Sequence, residues 1–183
     1  MMNLNIDKNK KIVEAKDKKH PTNKLKLYFQ KMIVENGFLI KSFQTRGSII
    51  SIVFQKQDKK YTLHSVLKNI THAGWKDKPE IKRIQVTNLW TNKPKFIQVN
   101  KKNEFLIYFG YYDFDNNPLI VAWDSERYSD HKTNRSCYVN LDTLLWAYNE
   151  NYVSTVNSSQ KVWIFKPEKF KKFLDEYKEY INN

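Results

Sequence analysis

Two stretches of the chain repeat apolar side chains at helical spacing, and most of the rest alternates every second residue. Leu25, Tyr28, Phe29, Met32 and Ile33 fall on one helical face. The spacing predicts a helix capped by Thr22 or Asn23 and running to about Asn36, with Gly37 as its stop. Phe170, Phe173, Leu174, Tyr177 and Ile181 line a closing helix, and Pro167 suits its first position. A shorter helix containing Leu144, Leu145 and Tyr148 is expected after Asn140, a good cap.

Between these the period falls to two. Residues 38–44, 48–55 and 60–66 read as three strands of an antiparallel meander, turned at Gly47 and at Gln57-Asp58-Lys59. Ile81–Val86 sets Ile81, Arg83 and Gln85 against Lys82, Ile84 and Val86, the pattern of a half-exposed strand. Phe96–Val99 reads as a further strand. Phe105–Tyr112 and Leu119–Trp123 are the most apolar pair and predict a central hairpin across residues 113–118. Ser136–Val139 and Val162–Phe165 complete the set.

These elements predict an α+β fold. Its mainly antiparallel mixed β-core, a partly open barrel or sandwich, carries two to three packed helices. Residues 23–183 are expected to form one domain. Residues 1–22, crowded with Lys8, Lys10, Lys11, Lys16, Lys18 and Lys19, are expected to be a basic flexible arm. Neither glycine fingerprint of a Rossmann or P-loop fold occurs.

Charge changes the picture more than composition does. The net charge is +13, unevenly spread. Residues 56–102 hold 12 basic and 3 acidic side chains, whereas residues 103–160 hold 3 and 8. A basic half beside an acidic segment points to a polyanionic partner. Lysine enrichment without function is the plainer alternative. Cys137 is the lone cysteine, so no internal disulfide forms, and His20, His64, His72 and His131 lack zinc spacing. No apolar run approaches the roughly 20 residues of a membrane span, and no signal peptide is evident. A cytoplasmic location without membrane contact is the expectation.

Four groups of residues carry candidate chemistry. Lys76, Lys78, Lys82, Arg83, Lys93, Lys95, Lys101 and Lys102 interleave with Trp75, Trp90 and Phe96, as a phosphate-tracking face would. Gln85, Asn88 and Asn92 are placed to read base edges. The polar loop from Asp124 to Asn134 adds Arg127, His131 and Lys132, with Arg135 after it. Trp90, Tyr111, Tyr112, Trp123 and Trp146 are candidate walls of a pocket for a flipped base. Glu80 and Lys82 have the Glu-x-Lys spacing of a Mg²⁺-dependent nuclease, with Asp58 or Asp77 as a further carboxylate. For each group the alternative is structural: a solvated face, a surface loop, core aromatics, or a chance spacing. No nucleophilic triad motif is found, and no cofactor is implied unless the nuclease reading holds.

Several stretches, taken in order, resemble the methylase-associated domains of bacterial restriction–modification systems. They are Lys82–Val86, Phe105–Tyr112, Leu119–Asp124, Asn134–Ser136, Leu144–Ala147 and Val162–Pro167, within residues 60–180. The resemblance implies DNA recognition inside a defence system. It would set Arg83 and Gln85 by the DNA and make Asp124–Asn134 a reading loop. The expected function is therefore a specificity module for DNA, double-stranded and with a modified base as one option, acting in a larger restriction or defence complex. A Mg²⁺-dependent endonuclease and a protein-interaction subunit of a phage or defence complex are the alternatives, and single-stranded nucleic acid stays open.

Overall fold

A computed structural model describes residues 3–46, 49–86, 103–124, 135–157 and 160–182. Its strands are β1 (Asn3–Ile6), β2 (Ile12–Ala15), β3 (Leu39–Arg46), β4 (Ile49–Lys56), β5 (Lys59–Asn69), β6 (Thr71–His72), β7 (Ile81–Val86), β8 (Glu104–Tyr112), β9 (Leu119–Asp124), β10 (Arg135–Asn140), β11 (Tyr152–Asn157) and β12 (Gln160–Phe165). The helices are α1 (Thr22–Glu35), α2 (Leu141–Glu150) and α3 (Phe170–Asn182), the last entered through a 3-10 turn at Pro167–Lys169. The fold is α+β, as the periodicity predicts. Its sheets stay open and do not close into a barrel.

Seven strands form the main sheet in the order β11-β12-β9-β8-β5-β4-β3. Every pairing is antiparallel except β5 with β8, where Leu63 registers with Phe105. The two central strands, β8 and β9, are buried on both faces, which explains their unbroken apolar run. One face carries α1 and α3. There Phe29, Phe54, Phe105, Phe109, Trp163, Phe170 and Phe173 fill the core. On the other face Tyr108, Val121, Trp123 and Ile164 meet α2 through Leu144 and Tyr148. A three-stranded sheet, β10-β7-β6, joins that second core through Ile84, Val86, Cys137 and Val139.

Local signals behave as expected at several ends. The Asn140 side chain accepts the Asp142 N–H at 3.0 Å and caps α2. Gly37 ends α1 with φ of 80°. At the start of α1, however, Thr22 is already helical. Pro21 occupies the cap position, and neither Thr22 nor Asn23 caps by its side chain. Ile181 is exposed rather than part of the buried face of α3.

The segment expected to be a basic flexible arm carries strands of its own. Residues 3–15 form the β1–β2 hairpin, turned by Asp7, whose carboxylate accepts the Asn9 and Lys11 N–H groups. The hairpin is tied down by partners far along the chain. Tyr112 accepts the Ile6 N–H at 2.9 Å, and Lys82 reaches both Asn5 and Asp17. Two further strands, β6 and β11, also lay outside the expected set, since Thr71-His72 and the Ser/Thr/Asn-rich 152–157 stretch carry little apolar signal. The expected Phe96–Val99 strand lies outside the described residues.

Candidate nucleic-acid interface

Strand alternation divides β7 cleanly. Lys82, Ile84 and Val86 point inward, and Gln85 is exposed beside half-exposed Ile81 and Arg83. Antiparallel register then sets Ser136 opposite Gln85 and Tyr138 opposite Arg83 on the same outer face. Arg83 Nη1 donates to Ser136 Oγ at 3.3 Å. Past β6 the chain turns at Gly74, with φ of 89°, and returns Trp75 onto Tyr138. Their rings stack 4.9 Å apart at 28°. Trp75 remains 39% exposed, and Lys78 Nζ sits 5.6 Å from its ring centre. Lys76 and Lys78 are both exposed. The outer face of the small sheet thus combines two cations, an arginine fork, an amide, a hydroxyl and a stacked indole.

The topology adds to this face. Val86 registers with Arg135, so Val86, which precedes the connection 87–102 in the chain, and Arg135, which follows the connection 125–134, share one end of the β7–β10 pair. Exposed Arg135 stands at that end. Lys93, Lys95, Arg127, His131, Lys132, Asn134 and Trp90 belong to these connections and lie outside the described residues.

Lys82 does not belong to the outer face. It is 0% exposed, and its ammonium bonds Asp17 Oδ1 at 2.6 Å and Asn5 Oδ1 at 3.1 Å. Asp17 Oδ2 also accepts from Asn3 Nδ2 and from the His72 N–H. Burial pushes the Lys82 amine down from its ordinary value, and the hydrogen bond and charge of Asp17 oppose that. Lys82 is therefore a buried anchor for the hairpin, not a phosphate contact. The nuclease arrangement fails with it, because an amine held by Asp17 inside the protein cannot assist a water beside Glu80. Among the described residues no three His, Cys, Asp or Glu side chains are grouped to hold a metal.

The proposed base pocket is also taken apart. Trp123 is 0% exposed and donates its indole N–H to the Tyr138 carbonyl at 3.2 Å. Tyr111 lies on the opposite face of the sheet, stacked on Tyr28 and in edge contact with His20. The register explains the split, since Trp123 pairs with Tyr108 while Tyr111 pairs with Ile120. Tyr112 is buried and Trp146 is exposed on α2. At the start of the expected reading loop, Asp124 is buried and accepts from the Tyr177 and Tyr180 hydroxyls.

One constellation escaped the sequence reading. Ser51 Oγ lies 2.8 Å from His64 Nδ1, and His64 Nε2 lies 3.0 Å from Glu104 Oε1. The order serine–histidine–carboxylate matches a nucleophilic triad. Ser51, however, sits mid-strand, registered with Gln44 on one side and His64 on the other. Its neighbouring amides are used in the ladders, and it does not stand on a turn whose free N–H groups could receive an oxyanion. The row is a polar clamp across β4, β5 and β8. No local motif signals it, since the three residues meet only through strand register.

The model of the methylase-associated X1 family, MTaX1, matches residues 61–174. That span runs from β5 into α3 and includes both the central sheet and the β10-β7-β6 sheet. No curated protein and no solved structure matches the chain. The resemblance read between residues 60 and 180 is borne out, and a methylase-associated family fits a restriction–modification context. With the match covering more than half of its length, the chain belongs to the methylase-associated X1 family.

Proposed function

We propose that this chain is a DNA-binding specificity module that works with a methyltransferase or restriction complex and grips duplex DNA on the outer face of β10-β7-β6. The observation that carries the reading is the outward row of Arg83, Gln85 and Ser136 flanked by Lys76, Lys78 and stacked Trp75. Cations bind phosphates without regard to sequence, and amide and guanidinium groups supply base contacts. Lys93, Lys95, Arg127, His131, Lys132 and Asn134 are included in the proposal on their charge and hydrogen-bonding chemistry alone. Lys82, Tyr111 and Trp123 have no part in it.

Fluorescence anisotropy tests the reading. Labelled duplexes with and without methylated cytosine or adenine, and a single strand, are titrated at low and near-physiological salt. Duplex binding that weakens steeply with salt is the expected result. Preference for one methylation state would identify the mark. Binding to the single strand alone would replace the duplex by an unpaired substrate. No binding to any probe would overturn the proposal in favour of a protein-only interface.

A further inference from the structure

We infer that the β7–β10 pair enters the DNA major groove as a two-stranded ribbon, with Arg83 reading guanine and Gln85 reading adenine. The inference rests on the duplex-binding proposal above and assigns the bases that this face selects.

The geometry starts from the ribbon. β7 and β10 pair over their full six residues, whereas β6 contributes only two residues, opposite Arg83 and Lys82. Among the described residues, the Ile84–Val86 and Arg135–Cys137 end therefore has no third strand. Paired strands lie about 4.8 Å apart, so their backbones fit the roughly 12 Å major groove of undeformed DNA, whereas the roughly 6 Å minor groove would first have to be opened. The inward face of the pair is packed on the core through Ile84, Val86, Cys137 and Val139, which leaves Arg83, Gln85 and Ser136 on the outward side, next to Tyr138 under its Trp75 cover.

Those side chains have the right chemistry for direct readout. A guanidinium donates two parallel hydrogen bonds to guanine O6 and N7, and a glutamine amide donates to N7 and accepts from N6 of adenine. Gln85 is exposed and Arg83 half-exposed, with Ser136 bracing the arginine fork at 3.3 Å. Residues two apart on one strand project about 6.8 Å apart, and base pairs stack about 3.4 Å apart. The guanine and the adenine must then lie within two base-pair steps of each other. Lys76 and Lys78, on the loop after β6, are placed at the side of the ribbon where a groove wall of phosphates would run.

The test is a binding-site selection with the full chain and a random-sequence duplex pool, read by sequencing the retained DNA. The wild type is expected to enrich a guanine and an adenine within two steps. Arg83→Ala should flatten the guanine position alone, and Gln85→Ala the adenine position alone, each by about tenfold or more in discrimination. Arg83→Lys keeps the charge but loses the fork, so it should keep pool binding while losing the guanine. Because neither side chain is in the core, folding is expected to survive, and circular dichroism checks it. An enriched motif that both alanine variants leave unchanged would overturn the readout while duplex binding stands. Failure of the wild type to retain the pool at low salt would overturn duplex binding as well.

Discussion

Replacing Lys82 by methionine separates an anchoring role from a binding role. The substitution keeps most of the aliphatic stem and removes the ammonium that bonds Asp17 at 2.6 Å and Asn5 at 3.1 Å. Asn5 Oδ1 still accepts the Tyr112 hydroxyl. Asp17 Oδ2 keeps Asn3 and the His72 amide, but Oδ1 loses its counter-charge in a side chain only 8% exposed. Breaking a buried pair by removing one partner costs about 3–5 kcal/mol, and the two surviving donors set the expectation near 3. That is a large share of the roughly 5–15 kcal/mol that holds a domain together. Urea unfolding of Lys82→Met should show the loss, and Asp17→Asn combined with it should cost less than the sum of the two changes. The pH dependence follows from the lowered Lys82 pKa. Between the folded value and the unfolded value of 10.5 the unfolded chain binds more protons, so stability rises with pH through that window. Lys82→Met should remove this alkaline rise. A variant as stable as the wild type but defective in DNA binding would refute the anchoring argument and return Lys82 to the interface.

Three further outcomes are expected. A Cβ at Gly110 would stand 2.5 Å from Ile70 Cγ1 and 2.9 Å from Trp123 Cζ3, so Gly110→Ala should destabilise by about 1–3 kcal/mol in chemical denaturation. Asn140→Ala removes the α2 cap and should cost about 1 kcal/mol, seen as a lower thermal midpoint. Lys76→Ala with Lys78→Ala should weaken binding equally across duplex sequences and shallow the log–log salt slope by about 0.9 for each phosphate that is no longer neutralised.

Element types were legible where one physical signal dominated. The inward and outward rows of β7 follow from period-two alternation, and the central β8–β9 hairpin follows from its unbroken apolar run. Helix ends at Gly37 and Asn140 were readable because their cause is local. The N-terminal hairpin was not. It is tied down by Tyr112 and Lys82, which are 106 and 77 residues away from the hairpin groups they bond. Charge counting set Lys82 beside Lys76 and Lys78 as one basic run, although its strand position turns it inward to Asp17.

The sequence by itself determined the three helices, the central strands, the family resemblance, and the two opposed rows of β7, because alternation and spacing are properties of neighbouring residues. Tertiary structure alone decided which strands pair, including the parallel β5–β8 contact between segments joined by a long connection. It also decided that Tyr111 and Trp123 face opposite sides of one sheet, and that Trp75 stacks on Tyr138 beside Arg83. Register between distant strands sets these contacts, and register is chosen by the whole core that must be buried at once.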